Sequence, residues 1–144
     1  MIKLTFKIFL IVVFLGCNFF ACEKSSVTDS TVINELILND TLTIAYQDTL
    51  RNPAENSWLT FSSLVADSRC AINVVCVWEG NAEISFTFFN GVKSASFNLN
   101  THPMFGRDTT VLGFDFSLIE VDPYPHIDSL YTAEDYSVSV LMTK

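Results

Sequence analysis

Four cysteines, two histidines and sixteen Asp plus Glu residues are the groups in this 144-residue chain whose chemistry could carry a function. Cys70 and Cys76 sit in the string DSRCAINVVCVWEG, which runs from Asp67 to Gly80, with five residues between the two thiols. Structural zinc needs four ligands, commonly from two such pairs, and no second downstream pair exists. A redox couple needs the tighter Cys-x-x-Cys spacing. The chemistry that fits is a disulfide, which on closing so short a loop contributes roughly 2 kcal/mol. If residues 74–78 are extended, Cys76 and Trp78 share a face and Trp78 packs near that disulfide. Arg69 and Glu79 bracket the loop; they could grip a charged ligand, but the expected role is a partly exposed ion pair worth under about 1 kcal/mol.

The catalytic classes mostly fall away. His102 and His126 each lie in an irregular, proline-containing stretch, and a Ser-His-Asp hydrolase would need one of them beside a serine. There is no Gly-x-Ser-x-Gly elbow and no Gly-rich phosphate loop among only five glycines. A metal site could draw the histidines together with Asp108, Asp122 or Asp128. Asp122, Asp128, Glu134 and Asp135 form an acidic set that could bind calcium but lacks EF-hand spacing. Two carboxylates acting on a glycosidic bond are the catalytic reading that composition leaves open. No catalytic residue, metal ligand or cofactor is assigned.

The other two cysteines belong to an address. Residues 1–7 carry Lys3 and Lys7, residues 8–15 are an unbroken apolar run, and small residues precede Cys17 and Cys22. That pattern predicts a secretory signal, and the run is too short for a membrane span of about 20 residues. Gly16-Cys17 and Ala21-Cys22 both resemble a bacterial lipobox, in which the cysteine becomes the acylated first residue. Parity favours Cys22, because cleavage before Cys17 would strand Cys22 as a free thiol in an oxidising compartment. The expected organisation is a signal peptide at 1–21, a lipidated cysteine and polar tether at 22–32, and one domain at 33–144. The expected location is the cell envelope, anchored in the bilayer of the outer membrane.

Charge narrows the partners. The formal charge of −8 becomes −10 once Lys3 and Lys7 are removed. Such a surface repels nucleic acid and anionic headgroups, so attachment to lipid should be covalent.

The elements that must position these groups read as strands. Alternation marks Leu42-Ile44-Tyr46, Leu59-Phe61, Phe114-Phe116-Leu118 and Tyr136-Val138-Val140-Met142. Two alternating runs, 82–89 and 92–99, flank Asn90-Gly91, which predicts a hairpin with a type I′ turn. A two-residue loop there pairs Phe89 with Val92, Ile84 with Phe97 and Phe86 with Ala95, leaving one apolar and one polar face. Seven to nine strands in about 110 residues predict an antiparallel β-sandwich, with a small barrel as the alternative. Pro123 and Pro125 must interrupt pairing, so 122–129 is a loop, and 101–108 is a second irregular stretch. Phe105, Tyr124 and Tyr131 fall in or near these loops and are candidate binding residues.

The cysteine string resembles one in small envelope lipoproteins, Asp-Ser-Arg-Cys-Pro followed by Cys-Val-Trp-Ala-Gly. Asp67, Ser68, Arg69, Cys70, Val74, Cys76, Val77, Trp78 and Gly80 match it, while Ala71 and Glu79 replace the usual Pro and Ala. The resemblance implies a β-sandwich lipoprotein and supplies no catalytic residues. Sequence therefore points to a non-enzymatic binding or structural accessory with an unknown protein or glycan ligand. The rivals are a small carboxylate-based glycan hydrolase and a calcium- or metal-binding module.

Overall fold

The structure, a computed structural model, describes residues 34–144. The signal, both lipobox cysteines and the whole of the tether lie outside the described residues. Among the described residues there are eight strands: β1 (Thr41–Ala45), β2 (Thr49–Asn52), β3 (Ser57–Asp67), β4 (Ala82–Phe89), β5 (Ser94–Asn100), β6 (Asp108–Val111), β7 (Phe114–Asp122) and β8 (Ser137–Thr143). They form two antiparallel four-stranded sheets, ordered β2-β3-β4-β5 and β1-β8-β7-β6. This is a β-sandwich and not a closed barrel.

Alternation explains the two layers. Leu59 and Phe61 on β3 and Ile84, Phe86 and Phe88 on β4 are fully buried, and each is followed by a polar or half-exposed neighbour. Phe114, Phe116, Leu118, Val138, Val140 and Met142 supply the facing layer. Phenylalanines join the sheets: Phe88 meets Phe114 and Phe116 at 5.2 and 5.1 Å between ring centres, and Phe97 meets Phe116 at 4.8 Å. These edge and tilted contacts suit ring quadrupoles and add to the area term. Bulges interrupt the register of β3 at two points and of β7 at Ile119. The free edge of β2 is covered where Arg51 exchanges backbone hydrogen bonds with Asn34 and Leu36.

The β4–β5 hairpin exists, but its turn is displaced by one residue. Asn90 pairs with Lys93, so Gly91 and Val92 are the central residues. Only Gly91 among them has positive φ, at 91°, so the turn is not type I′, which needs positive φ at both. The Asn90 carboxamide instead accepts from the Val92 and Lys93 amides. Ile84 consequently opposes Leu99, Phe86 opposes Phe97 and Phe88 opposes Ala95. The register differs from the expected one by two residues, so every side chain keeps its face. Both central residues have positive φ at Leu112-Gly113, between β6 and β7. Leucine is a poor choice there, and packing of Leu112 against the core offsets the strain.

Candidate functional site

Antiparallel order places the β3–β4 loop (68–81), the β5–β6 loop (101–107) and the β7–β8 loop (123–136) at one end of the sandwich. The first is an extension of its hairpin. Ser68 donates its amide to Asn81 O at 2.7 Å, and Cys70 does the same to Glu79 O at 2.8 Å. Gly80, at φ 80°, lies so close to this partner that a Cβ would sit 2.0 Å from Ser68 O and 2.6 Å from the Arg69 Cα. Only glycine fits. Beyond it, Cys70 and Cys76 form the expected disulfide, with Cα atoms 6.0 Å apart.

Arg69 fastens the first loop to the third. Its guanidinium grips the Asp67 carboxylate through Nε and Nη2, and it donates to Val121 O at 2.6 Å and Pro123 O at 2.8 Å. Both side chains of this pair are over nine-tenths buried. Tyr136 adds its hydroxyl to Asp67 at 3.0 Å, and Arg69 lies 4.9 Å above the Tyr124 ring. Burial first, then the Asp67 hydrogen bond, push the Tyr136 phenol above its ordinary value. Ile72 bonds to Pro125 O at 2.9 Å, a second tie between the same loops. The expected Arg69–Glu79 surface pair is therefore not formed. A strand's period of two puts Asp67 and Arg69 on one side, and Glu79 turns to His102 instead, at 3.1 Å.

Arg107 performs a related task. Strand β6 pairs with β7 only as far as Ser117, which leaves the later carbonyls on that edge of β7, the side away from β8, without a neighbouring strand. Arg107 donates to Leu118 O at 2.7 Å and Ile119 O at 2.9 Å, and Arg69 takes the next carbonyls along. Two of the chain's three arginines thus finish a sheet edge with side-chain donors. Between them lies a cleft of about 410 Å³, with Glu79, His102, Glu120 and Tyr124 also on its walls.

The expected extended run at 74–78 is not formed: these residues bend, and Trp78 turns to the β5–β6 loop. Its ring meets His102 at 6.1 Å and Phe105 at 6.4 Å, while His102 and Phe105 are 5.2 Å apart. His102 Nδ1 accepts from the Met104 amide, which leaves Nε2–H for Glu79. On the far side of this ridge lies a second depression of about 440 Å³, lined by Ser68, Trp78, Asn81, Glu83, Asn100 and Phe105.

The candidates named from sequence are brought together only in part. Trp78 and Phe105 share the ridge, Tyr124 lies in the first cleft, and Tyr131 packs edge-on against Tyr136 at 6.5 Å. Asp67, Arg69 and Gly80 hold the loops. The histidines are apart: His102 joins the ridge and His126 lies 3.9 Å from Asp128. Among the described residues no three His, Cys, Asp or Glu side chains gather as a metal set, and Asp135 caps Thr132. No helix among them is long and apolar enough to cross a membrane. Asn81, Asn100 and Arg107 carried no signal in sequence. A scan of protein-family models, a search of curated proteins and a search of solved structures each found no match.

Proposed function

We propose that this protein is an exported, lipid-anchored binding module of the cell envelope, acylated at Cys22 (alternatively Cys17), that engages its partner through the loop end of the sandwich without turnover. One observation carries the reading. Of the fifteen exposed large hydrophobic side chains among the described residues, eleven lie on the three tied loops, with Val75, Val77 and Leu130 fully open to solvent. Apolar side chains gathered in this way are the mark of an interaction surface. The disulfide, the Arg69 network and the Ile72–Pro125 tie hold the loops in place, which lowers the ordering cost of binding. No lysine occurs in the three loops, and Glu79, Asp128, Glu134 and Asp135 rim them, so an anionic partner is disfavoured.

Photo-crosslinking side chains placed at Val75, Val77 or Leu130 test this in the intact envelope, with Val92 at the opposite end as control. Adducts from the loop positions and none from Val92 support the module. Equal labelling, or none, overturns it. The carboxylate hydrolase remains a second reading because Glu79 and Glu120 line one cleft. Turnover of a neutral glycan, lost in both Glu79→Gln and Glu120→Gln, would put it first.

A further inference from the structure

The depression beside Trp78 has a more specific chemistry than the apolar loop tips. Its volume of about 440 Å³ falls within the range of small-ligand sites. Two aromatic side chains wall it, and its polar atoms are held in fixed orientation by bonds made elsewhere. Asn81 Oδ1 accepts from the His102 amide at 3.0 Å and from Thr101, while Asn81 Nδ2 donates to Asn100 Oδ1 at 2.7 Å. Asn100 Nδ2 donates to Phe105 O at 2.8 Å, and Glu83 Oε1 accepts from Asn98 at 2.7 Å. These bonds settle which way each carboxamide faces. Each carboxamide nitrogen carries two hydrogens, so one N–H of Asn81 and one of Asn100 stays uncommitted. Among the described residues, Glu83 Oε2 and Trp78 Nε1 also make no hydrogen bond. Asn100 is only 7% exposed and still reaches this lining.

The inventory selects a ligand class. An anion would meet Glu83 with no cation in the lining. A metal or ammonium ion would find a single carboxylate among several N–H donors. An apolar side chain would cover the amides and leave them unpaired, which costs free energy. A hydroxylated ring satisfies every group: its hydroxyls donate to the carboxylate and accept from the amides, and its C–H face packs on the aromatic rings. We propose that this depression binds one ring of a neutral glycan, with Trp78 and Phe105 as stacking walls and Asn81, Glu83 and Asn100 as hydroxyl partners.

This assignment rests on the binding-module reading, so its test is run beside the crosslinking experiment. The intact protein in detergent carries Trp58→Phe, leaving Trp78 as the sole indole, and is titrated with neutral gluco-, manno-, xylo- and chito-oligosaccharides. At least one series should shift the Trp78 emission. In an affinity measurement by calorimetry, Trp78→Ala and Glu83→Gln should each weaken that binding by about tenfold or more, and Val92→Ala, exposed at the opposite end of the sandwich, should leave it unchanged. Binding that survives Trp78→Ala overturns the site. Silence from every series at about 10 mM, with loop-end adducts retained, overturns the glycan assignment alone. Silence without adducts overturns the module as well.

Discussion

Arg69→Met is the substitution that best separates a solvated surface pair from a buried clasp. Arg69 and Asp67 are 6% and 7% exposed at their side chains, and their closest approach is 2.7 Å. Methionine fills much of the same space but removes the charge and the donors to Val121 O and Pro123 O. Asp67 would then be a buried carboxylate holding only the Tyr136 hydroxyl and the Arg69 amide. Removing one partner of a buried pair costs about 3–5 kcal/mol, against under about 1 kcal/mol for an exposed pair. With an m-value of about 1.5 kcal/mol/M, the urea midpoint should fall by about 2–3 M. Much of that loss is the stranded charge, so adding Asp67→Asn should restore part of it. A double-mutant cycle should give a coupling energy of about 2 kcal/mol. The assay is urea unfolding with the disulfide intact. A loss below about 1 kcal/mol for Arg69→Met, or strictly additive effects, would show that water screens the pair and that it does not clasp the loops.

Gly91→Val should cost at least about 1–2 kcal/mol, because Gly91 has φ 91° and a Cβ there would sit 2.8 Å from Glu55 O; an unchanged thermal midpoint would contradict the turn. Replacing Cys70 and Cys76 together by Ala should cost about 2 kcal/mol from loop closure and leave the sheet signal in circular dichroism intact. The raised phenol of Tyr136 means that the folded protein holds that proton more tightly than the unfolded chain. Its contribution is therefore complete below about pH 10 and lost as pH rises through the folded value. Tyr136→Phe should flatten the fall in urea midpoint above pH 10 relative to the parent. Intact-mass analysis of the membrane fraction should find a diacylated N-terminus at Cys22 or Cys17, and any other mature start would refute the anchor.

What sequence disclosed and what it hid follow one physical division. Period-two alternation is local, so the sandwich, the hairpin and the inward phenylalanines were all legible. Hairpin faces were legible even though the turn was not, because a two-residue change in register preserves them. Turn type was hidden in a choice the Asn90 side chain makes: it accepts the Val92 and Lys93 amides, and the tight turn closes one residue later. The type I′ geometry at Leu112-Gly113 was hidden for the opposite reason, since the core and not the backbone preference holds Leu112 there. The Asp67–Arg69 contact obeys the same period of two that marked the strands, yet its burial depends on Val121, Pro123 and Tyr136, more than fifty residues away. The loop end divides in the same way. Distinctive residues, the cysteines, Arg69 and Gly80, hold the backbone in place, whereas Asn81 and Asn100 are unremarkable until three loops converge. If the clasp is the scaffold and the depression is the site, Glu83→Gln should alter binding with little change in stability. Arg69→Met should do the reverse to stability first, and reach binding only through loosened loops.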